Sequence, residues 1–378
     1  MQSYSLTPQF RLPALQRGLS PAEALATKVN AGLGSALLMS ALITPPPIEA
    51  FGAVGAAAAL LNLAPGPRSV GRWAAVGYRR LRERTAPDSM TSQAGARATW
   101  VLYPPHSTMH DPHTRAAWHA KFAAALTYAG TRSRTAGVQV HVTHHATVDD
   151  YTDHAQTISV FVPHRVHSSP DRMLDSIAEE FSGLGHLAPA EDLTPPPTVA
   201  ERGPGWVRME DGRYAITARV TRWPDVTSGA MMNDLLLGTA RQRQARTARG
   251  VTRRALWDTD RSFAVLYRPL PASVSRRSHK LTTAIGGAFT VDKTRAAENE
   301  LTAATAQDAL LEGGTLVDVD AYLTVWADSP EDVTDARWEA TSIGDSARIS
   351  LDWLPGQQHR AHVMTTPHAV STRKGAVL

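Results

Sequence analysis

The chain has 378 residues and no cysteine, which excludes disulfide frameworks, thiolate zinc sites and cysteine nucleophiles. It lacks a Gly-x4-Gly-Lys-Ser/Thr loop, so it has no phosphate cradle of the kind that motor ATPases use. There is no Gly-x-Ser-x-Gly elbow, no His-Glu-x-x-His and no dinucleotide fingerprint. These gaps point away from an enzyme and from a bound cofactor. No repeat of fixed period is present. With 43% hydrophobic and 20% charged residues, the chain is neither collagen-like nor wholly disordered. Its length suits two or three domains with a sizeable core.

The formal charge is only +4, and its distribution says more than its total. Residues 1–28 carry Arg11, Arg17 and Lys28 against Glu23, a net +2, whereas residues 29–63 hold one charge, Glu49. Residues 64–84 carry Arg68, Arg72, Arg79, Arg80, Arg82 and Arg84 against Glu83, a net +5, leaving residues 85–378 at −2. A near-neutral body therefore bears a basic collar around an apolar segment. A nucleic-acid binder would carry its excess on a face of the folded body, so nucleic acid is not the expected partner.

Pro45, Pro46 and Pro47 divide the apolar segment, because consecutive prolines stop a helix. The halves, Val29–Thr44 and Ile48–Ala64, have about 16 and 17 residues. As helices each spans roughly 24–26 Å, somewhat less than the ~30 Å hydrocarbon core. Extension to Leu25 and Pro65, local thinning of the bilayer and snorkelling of Lys28 narrow the gap. Gly32, Gly34, Ser35, Gly52 and Gly55 allow two helices to approach closely. A secretory signal is not expected, since two apolar runs begin only after 28 residues. The other reading that stands is a hairpin buried inside a soluble interaction protein.

Lysine and arginine flank the segment on both sides and are missing from its proline turn, so a membrane hairpin would leave both termini in the cytoplasm. Residues 68–84 read as a basic amphipathic helix with Val70, Trp73, Ala74, Gly77 and Leu81 on one stripe, suited to anionic headgroups or simply to a stop-transfer flank. Lys28, the three prolines, Arg68, Arg72, Trp73, Arg79 and Arg80 are thus the expected membrane-anchor residues.

The expected fold is α/β (α+β): a cytoplasmic N-terminus (1–28), a two-helix transmembrane hairpin (29–64), a basic juxtamembrane helix (65–85) and a cytoplasmic body of two mixed subdomains. The first (97–187) reads as strand 99–103, helix 116–129, strands around Val138–Val142 and Ile158–Val162, and helix 170–181. Residues 86–96 read as a linker and the proline-rich stretch 188–205 as another. The second subdomain (206–355) opens with a hairpin across Asp211–Gly212. It continues with helix 231–237, strands 251–256 and 263–267, a mostly helical run 272–311, strand 321–326, helix 330–340 and strand 347–353. Residues 356–378 read as a polar tail. The two units share an element order, which suggests duplication, but no sequence echo accompanies it.

Three groups of side chains are candidates for chemistry. Ten of the fifteen histidines lie between His106 and His167. His106, His110 and His113 surround a turn with Asp111, whereas His141 and His145 share one face of a strand and His144 the other. Imidazoles and a carboxylate could bind zinc or another divalent ion, making a membrane-tethered metal-dependent enzyme the alternative function, yet the spacing matches no familiar motif and surface histidines are the favoured explanation. Asp318 and Asp320, two apart on a strand, could hold a cation or simply end the strand. Arg241, Arg243, Arg246, Arg249, Arg253 and Arg254 could meet phosphates or lipid headgroups, although without interleaved aromatics they read as a solvated or partner-docking face.

The order of parts, with Tyr214-Ala-Ile-Thr-Ala-Arg-Val-Thr-Arg-Trp-Pro224, Leu235–Leu237, Arg261-Ser-Phe-Ala-Val-Leu-Tyr-Arg-Pro-Leu-Pro271, Ser275-Arg276-Arg277 and Leu351-Asp-Trp-Leu-Pro355, resembles membrane proteins of conjugation-type (type IV-like) secretion systems of high-GC Gram-positive bacteria. In layout it is also similar to EccE, the two-helix membrane component of type VII secretion machines. The resemblance covers residues 25–84 as architecture and 206–355 as short motifs. It implies a non-catalytic scaffold subunit of an oligomeric assembly in the inner membrane, working beside a motor ATPase, and it carries over no catalytic, cofactor or metal residue.

Overall fold

A computed structural model of the chain describes residues 34, 48–62, 95–105, 111–133, 137–148, 152–190, 198–203, 205–222, 259–276, 304, 307–308, 310–346 and 349–367. The chain divides into two compact units, Gln9–Ala86 and a body that runs Pro87–Leu378.

In the first unit, helix α1 (Ile48–Asn62) begins immediately after the three prolines, with Glu49 in its first turn, where the helix dipole favours an acid. Phe51, Gly52, Ala53, Gly55 and Ala56 are exposed and Val54 is half-buried. Gly34, in the first apolar run, is also helical, and a Cβ added to it would stand 3.6 Å from Val54 Cγ1. Gly34 therefore lies close to Val54. The 15 residues of α1 span roughly 22 Å. Among the described residues, no helix is long and apolar enough to cross a membrane.

The body is mixed α/β, built on one large antiparallel sheet. Its first half runs β1 (Gly95–Tyr103), α2 (Pro112–Arg132), β2 (Gln139–Val148), β3 (Thr152–Pro163), α3 (Pro170–Ser182) and β4 (His186–Pro189). Helix α2 starts where Asp111 accepts from the backbone N–H groups of His113 (3.1 Å) and Thr114 (3.0 Å), with Pro112 in the first turn. Helix α3 buries Met173, Leu174, Ile177 and Phe181, one stripe at helical spacing. The strands lie in the order β4-β1-β3-β2, every neighbour antiparallel, which is the split β-α-β arrangement of ferredoxin-like folds.

The second half runs β5 (Val199–Arg202), β6 (Val207–Met209), β7 (Tyr214–Arg222), β8 (Asp260–Pro269), β9 (Val317–Ala327), α4 (Pro330–Ser346) and β10 (Ser350–Asp352). The Asp211–Gly212 turn closes the β6–β7 hairpin as the sequence indicates, with Gly212 at φ +89°, which favours glycine. Strands β10, β7, β9 and β8 lie side by side in that order, all antiparallel. They repeat the β4-β1-β3-β2 arrangement strand for strand. The shared element order read from the sequence is thus a shared topology. Residues 223–258, in the place of the first half's α2, lie outside the described residues, as do helix 231–237 and strand 251–256.

The halves are fused. Strand β2 pairs antiparallel with β8 from Val140↔Tyr267 to Ala146↔Arg261, making a single ten-stranded sheet. Helices α2, α3 and α4 cover one face, over Val140, Ile158 and Val160 in the first half and Ala321, Leu323 and Val325 in the second. Strand β1 begins at Gly95, inside the stretch expected to be a linker, because Ala96 and Ala98 pair with Val162 and Val160 of β3. Cross-strand pairing there overrides alanine's weak strand preference. Of the run expected to be mostly helical at 272–311, residues 272–276, 304, 307–308 and 310–311 are described and helical.

Candidate functional site

The sheet face opposite the helices is the unusual surface of the body, because it buries polar side chains. Alternation along each strand places His141 and Thr143 on it from β2, Ser159 from β3, Thr217 from β7, Ser262 and Arg268 from β8, and Asp320 and Thr324 from β9. All of these are buried.

They are covered by the segment expected to open a polar tail. After Trp353 the chain turns through Leu354 (φ +21°) and Gly356 (φ +77°), then forms α5 (Gln358–Ala361) and a 3-10 turn (His362–Thr365). This strap sits on the sheet through polar contacts. Its Met364 carbonyl accepts from His141 Nε2 at 2.9 Å and its Pro367 carbonyl from Ser159 Oγ at 2.6 Å. Thr365 Oγ1 lies 2.7 Å from Thr324 Oγ1, which is 2.8 Å from Thr217 Oγ1. Residues 368–378 lie outside the described residues.

Gln358 repairs a gap in the sheet. Strand β6 pairs with β7 at residues 214–215 and β10 pairs with it at 219–222, leaving Thr217 between them. The Gln358 side chain fills in, accepting from Thr217 N (2.7 Å) and donating to Thr217 O (3.0 Å) and Trp353 O (3.0 Å). Gln358→Ala is expected to strand the buried N–H and C=O of Thr217 and cost about 2–4 kcal/mol, measured as a lower urea midpoint.

Asp318 and Asp320 share a face, as their spacing implies, but arginines engage them. Asp320, 2% exposed, accepts from Arg219 and Arg268, and Asp318 lies 3.6 Å from Arg268 Nε. Burial works against the Arg219 charge, yet Asp320, with Tyr322 and Asp318 behind it, raises its pKa above the ordinary arginine value. The two aspartates belong to an ion-pair network.

The histidines separate by face as the alternation predicts. Burial, with a smaller push from Arg97, drives His141 down to about 4, against the opposing pull of the Met364 carbonyl. His145 Nδ1 lies 2.6 Å from Ser262 Oγ, and burial also lowers its pKa despite Asp260. The contact has the form of a base beside a nucleophile. However, Ser262 is 2% exposed and its oxygen also receives the Trp326 indole N–H at 3.3 Å, so it serves as an internal hydrogen-bond node. On the other face His144 Nε2 meets His154 Nδ1 of β3 at 3.0 Å. His113 is exposed in the first turn of α2, while His106 and His110 lie outside the described residues. Among the described residues, no group of three His, Asp or Glu side chains could hold a metal ion.

The anchor residues Lys28, Pro45, Pro46, Pro47, Arg68, Arg72, Trp73, Arg79 and Arg80 all lie outside the described residues, as does the Arg241–Arg254 run. Sequence reasoning missed Arg219, Arg268, Thr217, Thr324 and Gln358. The signal for Arg219, Thr217 and Thr324 was present, since polar residues recur at every second position of β7 and in β9, whereas Arg268 follows Ala264 and Leu266 on its face of β8. No known protein family matches the chain, and no curated protein matches it.

Proposed function

We propose that the protein is a non-catalytic, membrane-anchored structural subunit of a bacterial secretion or conjugative DNA- or protein-transfer complex. One observation carries this reading: helix α1 is apolar around its circumference, yet Phe51 is 39% exposed and its small neighbours are exposed with it. A helix without a polar face belongs in a protein core or in lipid, and these side chains are outside a core. The close approach of Gly34 to Val54 supports a tight pair of apolar helices in the bilayer, joined at the three prolines, with basic flanks and both termini on the cytoplasmic side of the inner membrane. The ~22 Å helix is accommodated by local thinning of the bilayer and by snorkelling flanks. The body suits scaffolding, because the side chains best placed for chemistry, Ser262 and Asp320, are held by neighbours. Its proposed partners are further subunits of the complex, including a motor ATPase.

The expected outcome is that the full chain sediments with membranes, resists an alkaline carbonate wash and leaves them only in detergent. Under mild detergent, affinity capture should recover a multi-subunit assembly. A chain that stays in the supernatant without detergent overturns the anchoring, and recovery of a lone monomer overturns the scaffold role.

A further inference from the structure

We propose that His144 and His154 form a two-imidazole binding site for a divalent transition metal, copper(II) before the others. The site is independent of the scaffold reading. The rings rise from neighbouring strands onto the same face of the sheet, with centroids 5.1 Å apart and planes 43° from parallel. The ladder fixes their positions, since His144 is paired with Gln156 and His154 with Ala146. His144 Nε2 and His154 Nδ1 point at each other 3.0 Å apart, so in the hydrogen-bonded pair one nitrogen offers a lone pair to the other's N–H.

That separation fits a metal. Two metal–nitrogen bonds of about 2.0–2.1 Å at a right angle put their nitrogens roughly 3.0 Å apart. A cation can take both nitrogens once the rings turn their lone pairs off the N···N line toward it, and the bridging proton moves through solvent to the other nitrogen of its own ring, so that both imidazoles stay neutral. Right-angled positions are those of tetragonal copper(II) and nickel(II), whereas tetrahedral zinc would open the pair to ~3.4 Å. His154 is exposed and His144 half-buried, so water can complete the coordination shell. The nearby positive charge of Arg261 acts on both rings and opposes every divalent cation alike, so the order of affinities stays that of the divalent series, with copper first. Bound metal would bridge β2 to β3.

The test uses the untagged full-length chain in detergent, with copper(II) chloride as the probe. Substoichiometric copper is expected to broaden the ring-proton signals of two of the fifteen histidines first, and its electron paramagnetic resonance spectrum should show two coupled nitrogens. His144→Gln and His154→Gln should each weaken copper binding at least tenfold, while His186→Gln, at a ring stacked on Tyr103, should leave it unchanged. Nickel should bind more weakly than copper, and zinc more weakly again. Broadening spread over other histidines, or copper binding that survives both substitutions, would overturn the assignment. The spectra of the unsubstituted chain decide the matter even where a variant folds poorly.

Discussion

Asp320→Asn is expected to destabilise the body by about 3–5 kcal/mol, the largest loss from any single side-chain change on the polar face. The carboxylate is 2% exposed and neutralises Arg268, itself 8% exposed, along with Arg219. Asparagine keeps the shape and one acceptor oxygen but removes the charge, leaving the buried Arg268 guanidinium with Asp318 as its remaining counterion among the described ion pairs. Arg219 suffers less, because its side chain is 31% exposed and can turn toward water. Adding Arg268→Met to Asp320→Asn should therefore recover a substantial part of the loss, since removing both charges also removes their desolvation cost. Urea unfolding followed by tryptophan fluorescence measures both. A loss below ~1 kcal/mol for the single variant, or additive losses for the pair, would mean that the clamp is not what holds these strands in place.

The elements of the fold were largely legible, and the way they join was not. Helices α3 and α4 begin at Pro170 and Pro330, where Ser-Pro-acid signals announce them, and β3 and β9 are seen in their alternation. Once the two halves are superposed in topology, those starts become the echo that the sequence appeared to lack. Ser169-Pro170-Asp171 and Ser329-Pro330-Glu331 open equivalent helices after equivalent strands. Only the second uses its serine as a cap, Ser329 Oγ accepting from Asp332 N at 3.1 Å. Local periodicity cannot show that β2 and β8 pair, because either strand would alternate in the same way with water at its edge. It also cannot distinguish a polar face that meets solvent from one covered by a distant segment. His141 and Met364 are 223 residues apart in sequence, and the histidine reads as a surface group until the strap is in place.

Acidification should reveal that burial as a loss of stability confined to one pH window. In the unfolded chain His141 takes up a proton near its ordinary value of 6.5; in the folded protein burial holds it down at about 4. The unfolded state therefore binds more protons between those values, so folding stability falls as pH drops from about 6.5 toward 4 and levels off below. At 1.36 kcal/mol per pKa unit the full contribution of this histidine is about 3 kcal/mol. Removing it cleanly requires keeping the bond to the strap. His141→Gln can place an amide N–H toward the Met364 carbonyl while abolishing the titration. Subtracting the variant's stability curve from that of the unsubstituted chain cancels every other titrating group that the change leaves alone, including the carboxylates and the His144–His154 pair. The difference is expected to be level above pH 7 and to move steadily in the variant's favour down to about pH 4. A flat difference curve would place His141 in water in the folded state and remove the strap from the polar face of the sheet.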